Sequence, residues 1–181
     1  MVEGNEKIIC VDLDGTLIKN DLSWDSAEKF AKRNFFNIFR LVFWYFRGIP
    51  YLKYKLAEEV EIDPSALPYN FEFLSYLIQK KSEGSKIYLA TGSTEKYAKQ
   101  VADYLQIFDG VFASDLQTNL VGKNKAQKLT KLFSEGFAYA GNSTDDLHIW
   151  KKASKKILVN PSESVQKAMR FVPHTLINPK I

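Results

Sequence analysis

Cysteine is almost absent from this chain: Cys10 is the single one, so no internal disulfide can staple the fold. Its place in an apolar run reads as a small buried hydrophobe in a reducing compartment. No stretch reaches the ~18 consecutive apolar residues of a membrane span. Residues 1–7 are polar and charged, which reads as no secretory signal. Internal repeats and low-complexity tracts are missing as well. The formal charge of +4 comes with no dense basic arm and no nucleic-acid motif, so nucleic acid is not an expected partner. What is present is a 181-residue chain, 45% hydrophobic and 25% charged. That is enough for one good core and a modest insertion, not for two full domains. Aromatic residues, at 14%, are numerous and unevenly spread.

The most informative stretch is near the start. Ile8, Ile9, Cys10 and Val11 in succession suit a strand buried on both faces of a parallel sheet. Asp12-Leu13-Asp14-Gly15-Thr16-Leu17 follows. Two carboxylates two residues apart share one side of an extended chain, and Gly15 lets the backbone turn away. The carboxyl edge of an open α/β sheet is where ligands bind.

Beyond this motif, residues 24–47 predict one long helix, with Ser23 able to cap its start and Gly48 and Pro50 to stop it. Its second half, 35–46, is apolar almost all round. The exception is a narrow stripe of Arg33, Asn37, Arg40, Trp44 and Arg47 at helical spacing. Such a helix is expected to hide most of its surface, either in a lid or core, or against a partner or membrane. Residues 51–60 predict a second helix, and Asn70 caps a third running to Ser82. From there strands over 86–90, 111–113, 137–140 and 156–159 alternate with helices over 94–105, 125–134, 143–153 and 162–171. The tail after Pro173 is expected to be loosely held. This rhythm predicts a Rossmann-like, doubly wound parallel sheet with a small α-helical cap inserted after the first strand. The core is 1–19 and 69–181, and the cap 20–68.

In a parallel sheet each strand end adds a polar cluster to one rim. Thr91-Gly92-Ser93 offers a hydroxyl and N–H groups at a helix start, suited to a phosphate oxygen. Lys123 and Lys125 follow Gly122, and either can neutralise a phosphate. Gly141-Asn142-Ser143-Thr144-Asp145-Asp146 brings an amide and two acids, oxygen donors of the kind Mg2+ prefers. Each cluster alone has an ordinary reading as a helix cap or a solvated charge.

In this order the clusters resemble the four motifs of the haloacid dehalogenase (HAD) superfamily. The resemblance implies a Mg2+-dependent phosphomonoester hydrolase acting through an aspartyl-phosphate. Asp12 is then the nucleophile and Asp14 the general acid/base. Thr91, Gly92, Ser93 and Lys125 hold the phosphoryl group, with Lys123 in reserve, and Asp12, Asp14, Asn142 and Asp146 hold the metal. An acid at position 14 favours phosphohydrolysis over the dehalogenase branch. Asn142 departs from the family, which commonly has Asp there, and implies weaker metal attraction that Asp145 or Asp146 can compensate. A receiver-like phosphoacceptor shares these residue types but not the Asp-x-Asp-Gly-Thr string or the inserted cap.

Val11 to Asp21, Leu67-Pro68-Tyr69-Asn70, Ala113-Ser114-Asp115 and Asp146 to Trp150 are further similar to the HAD domain fused ahead of UbiA-type polyprenyl transferases. This implies a sugar phosphate or a prenyl- or lipid-linked phosphate as substrate. It also implies association with a membrane or polyprenyl transferase through the 35–46 helix, in the cytoplasm or at the inner face of the membrane. The alternative is a catalytically weak module that binds a phospholipid, a prenyl phosphate or a membrane protein.

Overall fold

The computed structural model describes residues 6–177; most of the 1–7 stretch and the last four residues lie outside them. Six parallel strands form one sheet in the order β3-β2-β1-β4-β5-β6. They span Ile8–Val11 (β1), Lys86–Thr94 (β2), Gly110–Ser114 (β3), Ala138–Gly141 (β4), Lys155–Val159 (β5) and Thr175–Ile177 (β6). The chain winds outward from β1 to β3, returns, and winds the other way through β4 to β6. The strand order therefore reverses between β1 and β4, the crevice where doubly wound sheets bind ligands.

Strand alternation explains the two cores. Ile9 and Val11 face the same way as Ile87, Leu89, Ala138 and Ala140, against Phe73, Leu77, Tyr97 and Val101. These last four come from Phe71–Ser82 (α4) and Glu95–Leu105 (α5). Cys10, Tyr139 and Leu158 face the other way, against Leu129, Trp150, Val165 and Met169. Those belong to Gly122–Leu132 (α6), Leu147–Trp150 (α7) and Glu163–Met169 (α8). At roughly 25 cal/mol per Å2 of buried apolar area, these two layers supply most of the driving force for the fold.

Between β1 and α4 the chain leaves the sheet for three helices, Leu22–Arg33 (α1), Phe36–Phe46 (α2) and Ile49–Glu59 (α3). Exit and return run side by side, with Lys19 N donating to Pro68 O at 3.0 Å and Asn70 N to Leu17 O at 2.9 Å. The three helices share a small core of Phe30, Trp44, Leu56 and Val60.

Several local expectations are corrected. The helix expected over 24–47 is two helices, because Asn34 is extended (φ −161°, ψ 136°) and its side chain accepts from Phe36 N at 3.0 Å, a local bond that competes with the helix ladder. The first of them is capped by Asp21, which accepts from Trp24 N at 2.9 Å, and not by Ser23. The expected 143–153 helix shrinks to a 3-10 turn, Thr144–Asp146, followed by α7. The helix containing Lys125 begins three residues early, at Gly122. The tail after Pro173, expected to be loose, supplies β6, whose Ile177 is buried in the core and accepts from Asn160 N at 2.9 Å.

The orientation of α2 bears on both readings of that helix, since its apolar arc is not buried in a lid or core. The middle of its polar stripe packs inward: Asn37 Nδ2 donates to Phe30 O at 2.8 Å, and Trp44 stacks on Phe30 with centroids 5.1 Å apart. The Arg40 guanidinium lies 4.9 Å from both ring centroids and pairs with Glu59. The apolar arc, from Phe36 round to Phe46, is exposed. An aromatic pair capped by a cation buries as compactly as an aliphatic seam, so the greasy side is left outside.

Candidate active site

Asp12 and Asp14 lie just past the end of β1, in the crevice beside β4. Asp12 N donates to Ala140 O at 3.0 Å, which locks the motif against the neighbouring strand. Gly15 then turns with φ +73°, and a Cβ there would sit 2.2 Å from Asn142 Nδ2. The glycine thus serves both the turn and the close approach of Asn142. Thr16 Oγ1 donates to Asn142 Oδ1 at 3.3 Å.

The two acids are held differently. Asp14 Oδ1 accepts from Leu22 N, at the start of α1, at 2.8 Å. Its Oδ2 accepts from Ser93 Oγ at 2.7 Å and from Thr91 Oγ1 at 3.4 Å. Asp12, 8% exposed, accepts from Lys125 Nζ at 2.7 Å, a pair formed across 113 residues. The same ammonium donates to Tyr139 Oη at 3.0 Å, and Tyr139 Oη donates to Asp146 Oδ1 at 2.7 Å. Asp146 Oδ2 accepts from Asn142 N at 3.0 Å, Ser143 N at 2.9 Å and Ser143 Oγ at 3.0 Å. A Cβ on Gly141 would come within 2.5 Å of that oxygen, so the turn after β4 closes only around glycine.

Charge is unevenly balanced here. Burial raises the Asp12 carboxyl to about 7; Lys125 opposes this, and Asp146 and Asp14 add to it. Burial also raises Asp14, against the bonds from Leu22 and Ser93. Burial works against a charged Lys125, yet Asp12 and Asp146 hold its pKa above the ordinary lysine value. The cleft, about 410 Å3, is walled by the carboxylates of Asp12, Asp14, Asp21, Asp145 and Asp146 and the ammonium groups of Lys19, Lys53 and Lys125. Its walls therefore hold five carboxyl groups against three ammonium groups.

Asp12, Asp14, Gly92, Lys125, Asn142 and Asp146 all line this cleft. Thr91 and Ser93 lie beneath it, buried and bonded to Asp14. Lys123 is exposed and lines a separate concavity with His148 and Lys151. Two participants carry no sequence signal. Tyr139 looks like any aromatic in a buried strand. Lys53 looks like any helical lysine, yet it reaches from α3 to Gly92 O at 2.7 Å and to Asn119 Oδ1 at 3.4 Å. Burial lowers its pKa, with Asp14 and Asp21 opposing.

The donors around Asp12 fit a hard divalent cation. They are all oxygens, carboxyl groups outnumber ammonium groups on the walls, and burial leaves Asp12 short of compensation. No group of three His, Cys, Asp or Glu side chains forms a metal cage among the described residues. Mg2+ does not require one, since it commonly takes one or two carboxylates and completes its shell with water and phosphate.

No protein-family model matches the sequence. An uncharacterised protein of Sinorhizobium fredii, y4nM, is 36% identical over 163 residues, 90% of this chain and 31% of the relative. The chain thus spans about a third of the length of the curated relative it matches. Among solved structures, a HAD-family hydrolase from Salmonella enterica serovar Typhi superposes with a TM-score of 0.66 at 16% identity, over 95% of this chain and 67% of that one. A phosphoserine phosphatase in the form of a phospho-aspartyl intermediate analogue superposes with a TM-score of 0.65 at 15% identity, over 97% of this chain and 94% of that one. The six-stranded parallel sheet with its flanking helices is accordingly the Rossmann-like α/β fold seen in HAD-family hydrolases.

Proposed function

We propose that this protein is a phosphomonoester hydrolase that works through an aspartyl-phosphate on Asp12. The observation that carries the reading is the pairing at the sheet's switch point. Asp12 is held on one oxygen by Lys125, and Asp14 stands two residues away, pinned by Ser93 and α1. The second oxygen of Asp12 attacks phosphorus, the bond to the leaving oxygen breaks, and Asp14 gives that oxygen its proton. The raised pKa of Asp14 suits a group that must hold a proton to donate. Asp14 then takes a proton from water as the water attacks phosphorus, releasing inorganic phosphate and restoring the Asp12 carboxylate.

Lys125 and the Gly92 amide, which line the cleft, are the groups to hold phosphoryl oxygens; the Thr91 hydroxyl and the Ser93 amide, now bonded to Asp14 and to Thr91, join them by exchanging those bonds. Mg2+ is the fitting cation, to be held by Asp12, the backbone carbonyl of Asp14 and Asn142, and when bound it would supply positive charge against the phosphate oxygens. Asp146 orients this site, since hydrogen bonds already occupy both its oxygens. Residues 20–68 form the cap, and Lys53 is its contribution to the cleft.

Hydrolysis of an aryl phosphate tests this. Asp12→Asn is expected to cut kcat roughly a thousandfold or more with the fold intact; unchanged turnover would remove the assignment. A screen of sugar phosphates, nucleotides and lipid phosphates, with and without Mg2+, assigns the substrate, for which a sugar phosphate or a prenyl- or lipid-linked phosphate is proposed. The length of y4nM beyond the matched third leaves room for the polyprenyl-transferase half that the sequence resemblance implies. One observation favours a second reading, a catalytically weak phosphate-binding module. Asn142 is a neutral amide, already engaged by Thr16, where a carboxylate would draw the metal more strongly. Phosphate binding without turnover in the same screen would select it.

A further inference from the structure

The outward face of α2 is the strongest feature that catalysis does not use. At 100° per residue, Ile38, Phe39, Val42, Phe43, Tyr45 and Phe46 share one half of the helix circumference, opposite the inward Asn37 and Trp44. These six are between 44% and 82% exposed. A soluble monomer rarely leaves so continuous an apolar face uncovered. The helix has 11 residues, and no helix among the described residues is long and apolar enough to cross a membrane.

The surrounding charge identifies what covers it. From position 29 to 57 the sequence has seven Lys and Arg and no Asp or Glu. Glu28, Glu58 and Glu59 at the borders pair with Lys32, Lys55 and Arg40, and Lys53 points into the cleft. No ion pair engages Lys29, Arg33 or Arg47 among the described residues. Arg33 donates to Glu59 O, and Arg47 lies over the Tyr51 and Phe43 rings at the end of the apolar face.

We propose that α2 seats this protein on an anionic lipid bilayer, its apolar arc entering the headgroup boundary and the nearby cations facing lipid phosphates. A wide apolar face beside basic residues is the pattern of an interfacial helix. A second copy is a poorer occupant, because a two-fold contact would set the same unpaired cations against one another. The proposal does not rest on the hydrolase reading.

The test is flotation with vesicles of mixed phosphatidylcholine and phosphatidylglycerol against vesicles of phosphatidylcholine alone. The wild-type chain is expected to float with the mixed vesicles and to be released by high salt. Phe39→Ser with Phe43→Ser should weaken partitioning at least about tenfold, and Arg47→Gln about fivefold. Because Phe39 and Phe43 are exposed, near-UV circular dichroism should be unchanged in the double variant, separating lost binding from lost fold. Absence of wild-type binding to the mixed vesicles, equal binding to both compositions, or indifference to the Phe substitutions would each overturn the proposal. A dimer in analytical ultracentrifugation that the double variant dissociates, with vesicles ignored, would overturn it in favour of a second copy.

Discussion

At the scale of single residues, Tyr139 links the two sides of the cleft. Its hydroxyl accepts from Lys125 and donates to Asp146, with all three groups buried. Removing it strands a buried ammonium and a buried carboxylate each one bond short. Tyr139→Phe is expected to cost about 1–3 kcal/mol, read as a drop in Tm of roughly 2–12 °C in thermal denaturation. Asp12 makes a second prediction. Its folded pKa is about 7, against roughly 3.9 unfolded, so between these values the folded state keeps a proton that the unfolded state has released. Stability of the metal-free protein should therefore fall as pH rises through that window and level off above it. The raised pKa of Asp14 acts in the same direction. Denaturant titrations at pH 5 and pH 8 in chelator measure the slope, and Asp12→Asn should flatten it.

Among the elements, α2 buries the middle of its polar stripe and exposes its apolar arc. Trp44 is 5% exposed, and Phe46, two residues on, is 82% exposed. Trp44→Ala removes the ring stacked on Phe30 and the seat of Arg40, and should cost about 3–5 kcal/mol. Phe46→Ser should stay within about 0.5 kcal/mol. Chemical denaturation of the pair checks whether α2 is oriented as described; similar losses for both would mean that Phe46 is packed. The start of α1 couples this block to the chemistry, since its first N–H groups bond to Asp21 and Asp14. The position of α1 is therefore tied directly to the Asp14 carboxyl.

For the whole molecule, the site is assembled from distant pieces, which makes it a clamp on the fold. A cation bound between the ends of β1 and β4 stabilises only the state in which those ends are adjacent. Mg2+ at a hundred times its Kd should raise stability by about 2.7 kcal/mol. A chelator should reverse this, and Asp12→Asn should abolish the increment. Scanning calorimetry at several Mg2+ concentrations reads it directly. A weaker site at Asn142 should only shift the response to higher Mg2+ concentration; no response at any concentration would remove the cation site.

The order of strands and helices was legible because each depends on neighbours in the chain: a run such as Ile8 to Val11, a cap such as Asn70, a glycine such as Gly48. The polar clusters at the strand ends were legible for the same reason. Asp12, Thr91, Lys125 and Asn142 each follow a local signal, and topology alone requires parallel strands to bring those ends to one rim. Contacts across the chain were not legible. The Tyr139 bridge and the reach of Lys53 involve side chains with no unusual local setting, and their roles exist only once β4 and α3 are docked. The face of α2 is the sharpest instance. Periodicity places Asn37, Arg40 and Trp44 on one stripe, but which stripe turns inward depends on Phe30 and Glu59 of neighbouring helices. By itself, then, the sequence determined the α/β architecture and the residue types at the carboxyl rim of the sheet, through short-range spacing. Tertiary structure alone decided how the charges pair and which apolar surface stays uncovered, because burial and Coulomb partners arise between segments far apart in the chain.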